Sequence, residues 1–469
     1  MTMELSPESV FIGVFVFHWL SYLWQEFLAY RQYSTYVGTR ERPDVASGII
    51  DEESFRKSRL YKIDTARFGF AHSLYSQLEF SVVLWFGLIP ALWNASGRWI
   101  ASYGYGHEIL QSLVFFLVAD IVMTFLELPW KLYDTFVVEE AHGFNKQTLG
   151  FFVKDRVKMF LVSMALGAPL VAAIISIVQW GGSYFFVNLC AFLTVVIFFL
   201  LTIYPEFIAP LFDKYTPLPE GELREKIEAL ASRLHFPLKK LYVVEGSKRS
   251  AHSNAYLFGF WKNKRIVLYD TLLADEKGSS DNADEESEAD KAAEVVEAHD
   301  KLEEGDGEKG DEKAKKLGMS NDEVVAVLGH ELGHWALNHT LWNLLIAEAN
   351  LFLMLLGFGY FYSCPTIYEA FGFVDSRPTM IGLLVVFQFI FAPYNEILSF
   401  LMNAWSRRKE FEADRFSSDV GYAELMCRAL IKLGKDNLSF PVNDPLYSAW
   451  NFSHPPILER VAALQKKKL

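Results

Sequence analysis

Cysteine is scarce in this chain of 469 residues: Cys190, Cys364 and Cys427 stand far apart and make no CxxC pair. A disulfide framework and a cysteine metal cluster are excluded, and three buried thiols are expected. The 29 glycines and 17 prolines are too few and too scattered for a collagenous or low-complexity chain. A cleavable leader is not expected either, because no basic residue precedes the first apolar run, which ends in Trp24, Gln25 and Glu26 with no small-residue cleavage site. Disorder over the whole length is excluded by a composition that is 51% hydrophobic and 16% aromatic.

The net charge of −13 sits largely in one place. Between Asp275 and Lys316 there are 17 acidic and 7 basic residues, which leaves a net of only −3 on the rest of the chain. That stretch has no aromatic residue and little apolar periodicity, so it cannot bury enough surface to offset its ordering entropy. It reads as a solvated insert, residues 275–317, with a linker role.

Outside the insert, seven apolar runs approach the length a bilayer demands, about 20 residues per helix. They cover Val10–Leu28, Ser76–Trp93, Ile109–Trp130, Met159–Val178, Tyr184–Tyr204, Leu341–Phe361 and Thr379–Trp405, with Trp or Tyr at one or both ends. Lysine and arginine alternate between poor and rich segments: none before residue 10, eight from 29 to 75, one from 94 to 108, five from 131 to 158 and none from 179 to 183. By the positive-inside rule the N-terminus faces the lumen, while residues 205–340 and everything after 405 face the cytosol. Lys466, Lys467 and Lys468 near the end resemble a dilysine retrieval signal of the endoplasmic reticulum. Five acids inside the runs, Glu79, Asp120, Glu127, Glu348 and Glu396, point to a hydrated space between helices, since charge facing lipid is costly.

The most informative motif is His330-Glu331-Leu332-Gly333-His334. Ser320 and Glu323 form a capping box, and Val324, Val325, Val327, Leu328, Leu332 and Trp335 continue at helical spacing. On such a helix His330 and His334 share a face and can chelate one zinc ion, while Glu331 is offset and suits a base acting on the attacking water. Gly329 and Gly333 weaken the helix by roughly 1 kcal/mol each, which suggests close approach of a substrate backbone. A catalytic zinc site needs a third protein ligand. The hairpin of the last two runs returns Ser406–Asp414 (SRRKEFEAD) beside the motif, so Glu410 is assigned as that ligand and Asp414 as an acceptor orienting a ligand imidazole. Glu412 is expected on the opposite side, and His339, five residues past His334, is expected to be structural.

HELGH together with EFEAD, HSNAYLFGF (residues 252–260) and SHPPILER (Ser453–Arg460) resembles the type I CAAX prenyl proteases, integral-membrane zinc metalloproteases, over nearly the whole chain. The resemblance implies a mainly α fold, with seven transmembrane helices enclosing a water-filled chamber and a cytosolic-side metalloprotease domain with a small β-sheet. It implies prenylated CAAX proteins as substrates, removal of their last three residues, and in some members a second upstream cut in precursors such as prelamin A. It transfers His330, His334 and Glu410 as ligands of one Zn2+ per chain and Glu331 as base. It adds Asn254 as a residue holding the substrate main chain, His454 as a stabiliser of the oxyanion and Arg460 as its neighbour arranging the site.

The expected division is residues 1–205 for five membrane helices, 206–340 for the motif-bearing region, 341–405 for two more helices, and 406–469 for the segment with the third ligand. The membranes expected are the endoplasmic reticulum and the inner nuclear membrane. The lipid bilayer and prenylated proteins are the expected partners, with no nucleic acid and a monomeric chain. A transporter and an inactive zinc scaffold are the competing classes; the first lacks internal repeats, and the second has no use for Glu331.

Overall fold

The computed structural model describes residues 6–248, 250, 252, 254–259, 264–273 and 318–466. The acidic insert from Asp275 to Lys316 and two of the three terminal lysines, Lys467 and Lys468, lie outside the described residues.

Long helices dominate. The first, α1 (Pro7–Gly38), starts where the Ser6 hydroxyl accepts from the Ser9 amide at 3.2 Å, with Pro7 at the first helical position. The second, α2 (Glu52–Trp85), is capped by Asp51, which accepts from the Ser54 amide at 2.8 Å, and its first turn carries Glu52 and Glu53. At Gly87, φ is +61°, a left-handed turn that costs glycine little, and there the chain bends by 62° into α3 (Leu88–Ala101). α4 (Glu108–Tyr133), α5 (Leu149–Trp180) and α6 (Phe185–Ile203) follow.

α7 (Glu222–Arg233) lies between the first and second strands of the sheet described below, and α8 (Asn321–Ala336) and α9 (His339–Tyr362) follow the sheet. The chain ends with α10 (Thr379–Val385), α11 (Ala392–Ser417), α12 (Ala423–Asp436), α13 (Pro445–Asn451) and α14 (Ile457–Lys466).

Four single helical stretches are long and apolar enough to cross a membrane: Glu108–Glu139, Leu149–Trp180, Gly182–Phe212 and His339–Tyr362. Two further crossings would be bent pairs, Glu52–Trp85 with Leu88–Ala101 and Thr379–Ile390 with Ala392–Asp436, the latter bent by 56°. By length and apolarity the described residues thus supply up to six crossings rather than the seven read from the sequence. The run Ser76–Trp93 straddles the Gly87 bend, and the run in α1 is diluted by His18, Gln25 and Glu26.

Three of the five acids noted in the sequence have partners on neighbouring helices, whereas the buried Glu79 Oε1 has no hydrogen-bond partner among the described residues. Glu396 of α11 accepts from Ser21 of α1 at 2.5 Å, Glu348 of α9 from Thr194 of α6 at 2.7 Å, and Glu127 of α4 lies 3.2 Å from the His72 ring of α2. Interhelical pairing of this kind keeps a carboxylate away from lipid. A cavity of about 590 Å³ lies between α1, α2, α12 and the loop after α13, with Gln25, Gln32, Lys62, Ser73 and His454 among its lining. The three cysteines form no disulfide and are only partly buried, where the sequence led us to expect buried thiols.

The small sheet has the order β1-β2-β4-β3, with β1 Tyr215–Pro217, β2 Leu238–Val244, β3 Ala255–Phe258 and β4 Lys264–Tyr269. β2 and β4 run parallel, the other pairs are antiparallel, and β3 is an edge. Ile266 and Leu268 of β4 pack with Ile227 and Leu230 of α7 and with Val324, Leu328 and Leu332 of α8, all buried. The motif helix is therefore wedged between the sheet and the C-terminal helices.

Candidate active site

The start of α8 is fixed by the Ser320 amide donating to Glu323 at 2.9 Å, the return half of the capping box. His330 and His334 share a face, and their Nε2 atoms are 3.1 Å apart. α11 extends past its membrane run and brings Glu410 to them: Oε1 lies 3.3 Å from His334 Nε2, and Oε2 lies 3.4 Å from His330 Nε2.

The approach of α11 to α8 depends on Gly329 and Gly333. A Cβ at Gly333 would stand 3.1 Å from Phe416 Cβ and 3.3 Å from Ala413 Cα, and one at Gly329 would stand 3.1 Å from Ser417 Oγ. The sequence reading gave these glycines to a substrate backbone; the neighbour they admit is α11. Ser417 then donates to the Ala326 carbonyl at 3.1 Å, pinning the two helices.

Two nitrogens and a carboxylate oxygen, all within 4.8 Å of one another, form a donor set suited to a zinc-like cation. Glu410 is nearly buried, yet its Oε2 makes no hydrogen bond among the described residues. That oxygen has only ion-pair contacts, to His330 Nε2 at 3.4 Å and Arg460 Nη1 at 3.3 Å, and a cation among the three donors would give it a direct partner. Burial disfavours charge on the His330 imidazole, but the carboxylates of Asp414 and Glu410 outweigh it and hold its pKa up at about 9. Glu331 lies one residue on; burial, opposed by the two histidine rings, raises its pKa from the ordinary value.

His330 Nδ1 faces Asp414 Oδ1 at 2.9 Å. Arg460 of α14 donates to both oxygens of Asp414, through Nε at 2.8 Å and Nη2 at 2.7 Å, and its Nη1 lies 3.3 Å from Glu410. Burial opposes the arginine charge, and the two carboxylates more than compensate, raising its pKa. His454 is exposed, its Nε2 3.4 Å from Glu410 Oε1 and its Nδ1 3.0 Å from Ser453 Oγ. It is delivered by α13, which Asp444 caps by accepting from the Leu446 and Tyr447 amides at 3.1 and 2.9 Å. Arg407 of α11 holds the Ser448 carbonyl of α13 at 2.7 Å.

Six of the residues singled out from sequence therefore meet directly: His330, His334, Glu410, Asp414, Arg460 and His454. Glu331 is electrostatically coupled to the same group. Asn254 stands apart from these contacts. It precedes the edge strand β3, exposed, with its side chain accepting from the Ala255 amide at 2.8 Å.

Two residues that the sequence reading set aside join the site. His339 is buried, its Nδ1 2.9 Å from His334 Nδ1, and its Nε2 lies 3.2 Å from Glu412 Oε2. Asn338, with φ of +57°, ends the α8 run and turns the chain, so the helical wheel that put His339 off the ligand face stops applying one residue before it. An asparagine four residues past His334 was the available signal. Glu412 lies on another side of α11 from Glu410, as expected, but α9 begins there and supplies it with His339.

A two-histidine and glutamate cluster at the end of membrane-crossing helices, with the further carboxylates of Glu331 and Asp414 beside it, defines an integral-membrane metalloprotease. Two family models match: one for the CAAX prenyl protease N-terminal region with five membrane helices, over residues 32–214, and one for peptidase family M48, over residues 217–468. The chain belongs to peptidase family M48, and as a metallopeptidase it works with a metal ion. It is 50% identical to the CAAX prenyl protease 1 homologs of Mus musculus, over 99% of this chain and 97% of that one, and of Homo sapiens, over the same shares. Identity to CAAX prenyl protease 1 of Saccharomyces cerevisiae is 33%, over 95% of this chain and 93% of the yeast one. The crystal structure of S. mikatae Ste24p superposes with a TM-score of 0.81 at 33% identity, covering 97% of this chain and 98% of that one.

Proposed function

We propose that this protein is a zinc-dependent membrane endopeptidase that removes the last three residues of prenylated, chiefly farnesylated, CAAX proteins, with a second upstream cut in precursors such as prelamin A. The observation that carries the reading is the convergence of His330, His334 and Glu410 beside the half-buried Glu331. Its support for this substrate class comes from the names of its full-length relatives.

His330 and His334 offer Nε2 and Glu410 a carboxylate oxygen to the zinc ion. Bound there, zinc supplies a Lewis acid for the scissile carbonyl and for the attacking water. Glu331, whose pKa burial raises, would take the proton of the attacking water and pass it to the leaving amine. Asp414 holds the His330 ring through Nδ1, and Arg460 keeps Asp414 ionised and fixed. His454, on the open side of the cluster, donates to the oxyanion as it forms. Asn254, at the start of an unpaired strand edge, holds the substrate main chain as an added strand.

In this reading residues 1–205 and 341–405 form the membrane part, and 206–340 with 406–469 build the catalytic side. That side faces the cytosol or nucleoplasm, with the N-terminus lumenal, in the membranes of the endoplasmic reticulum and inner nucleus. A lipid-anchored substrate is held in the plane where the site lies.

The test is mass spectrometry of a farnesylated CAAX peptide incubated with the purified full chain. Release of the C-terminal tripeptide, loss of it with a chelator and recovery with zinc are expected. Cleavage that persists in Glu331→Gln, or in the chelated protein, would sink the reading.

A further inference from the structure

His334 and His330 face the cluster in the same way, each through Nε2, but their far sides are built differently. His330 Nδ1 meets a carboxylate directly, Asp414 at 2.9 Å. His334 Nδ1 meets another histidine, His339, whose ring is 3% exposed, and that ring in turn meets Glu412 at 3.2 Å. Glu412 is itself held by Lys409 Nζ at 2.7 Å and Arg408 Nε at 3.1 Å, both on its own helix.

The proton positions along this chain follow from its end. A carboxylate beside two cations stays ionised and only accepts, so His339 places its proton on Nε2 and donates to Glu412. His339 Nδ1 is then a bare lone pair, and the 2.9 Å contact requires the proton to sit on His334 Nδ1. With Nδ1 protonated, the neutral His334 ring has its lone pair on Nε2, the atom facing Glu410 and His330.

We infer that His339 is a positioning residue for the metal site. Backed by Glu412, it fixes the tautomer and ring orientation of His334, as Asp414 does for His330. The EFEAD segment then supplies all three supports of the cluster, one directly through Glu410, one through Asp414 and one through Glu412 and His339. The inference rests on His334 being a metal ligand.

The experiment measures zinc affinity of the purified full chain by competition with a chromophoric chelator, together with thermal unfolding of the metal-free protein. His339→Leu removes the acceptor and is expected to weaken zinc binding about 10–100-fold, the usual cost of losing such a support, with metal-free unfolding unchanged. His339→Asn puts an amide oxygen near the place of Nδ1 and is expected to recover most of that affinity. Glu412→Ala leaves an acceptor but no fixed tautomer and is expected to fall between wild type and His339→Leu.

Wild-type affinity in His339→Leu overturns the inference. So does equal loss in the Leu and Asn variants accompanied by a lower metal-free melting temperature, which marks a packing role alone. Should His339→Leu fail to fold, the Asn and Glu412→Ala variants decide: affinity at the wild-type level in Glu412→Ala overturns the relay, and a fall there with recovery in Asn supports it. His334→Ala separates the two levels of the argument. If it retains zinc, the assignment of the metal site fails; if it loses zinc while His339→Leu does not, only this inference fails.

Discussion

Arg460 grips Asp414 with two hydrogen bonds, 2.8 Å from Nε and 2.7 Å from Nη2, across 46 residues of chain. Both side chains are buried, and Arg460 also touches Glu410 at 3.3 Å. One guanidinium therefore balances a carboxylate that would bind metal and another that orients a ligand ring. Removing one member of a buried charge group leaves the rest uncompensated, at a cost of about 3–5 kcal/mol. Arg460→Met is expected to lower the thermal stability of the metal-free protein by that order, and Arg460→Lys to restore little, since an ammonium cannot span both oxygens of Asp414. A melting temperature unchanged in Arg460→Met would contradict this.

Gly333 sets how close α8 and α11 come. Alanine would improve the intrinsic propensity of the helix by about 1 kcal/mol. Its Cβ, however, would meet Phe416 Cβ at 3.1 Å and the Ala413 backbone at 3.3 Å, neither of which is the free end of a flexible chain. Overpacking of this kind costs about 1–3 kcal/mol and pushes Glu410 away from the histidines. Gly333→Ala is expected to reduce metal content and activity together, read by elemental analysis and peptide cleavage. Full metal occupancy in that variant would show that the helices can yield.

The parts of this site legible in the sequence are those set by spacing within one element. His330 and His334 follow from a four-residue interval, and Glu410 with Asp414 from another. The relation between the two helices was legible only because a hairpin joins them. The His339 contact was not, because it depends on a left-handed Asn338 that breaks the helical wheel, and the Gly333 contact was not, because a glycine does not say which neighbour it admits. The membrane runs were read by composition, and their bends at Gly87 and at Phe391 escaped that reading, since hydropathy carries no direction.

Arg31 in the C-terminal part of α1 pairs with Asp444, Nε to Oδ1 at 3.1 Å and Nη2 to Oδ2 at 2.8 Å, tying the N-terminal helix to the cap of α13. The hydrogen bond from Arg31 lowers the pKa of Asp444 from its ordinary value, against the effect of burial. An acid with a depressed folded pKa contributes stability above its unfolded pKa and loses it as the pH falls through the folded one. Asp444→Asn is therefore expected to destabilise the protein at neutral pH and to lose that difference from wild type in acid. Thermal unfolding across a pH series checks this, and a constant difference down to acid would refute it.

The role proposed for His454 is tested by separating binding from chemistry. It is 65% exposed, sits on Glu410 at 3.4 Å, and is held by the Asp444 cap and by Pro455 and Pro456 behind it, so its removal disturbs little packing. A donor aimed at a developing oxyanion acts on the transition state more than on the ground state, and losing one costs about 10²–10³ in kcat. His454→Ala is expected to show that fall with KM and zinc content near wild type. If zinc were lost instead, His454 would belong to the metal's own ligands; if KM alone rose, it would be a substrate contact. The exposed position favours the first outcome, because a group that must reach a carbonyl arriving from solvent has to stand on the open side of the cluster.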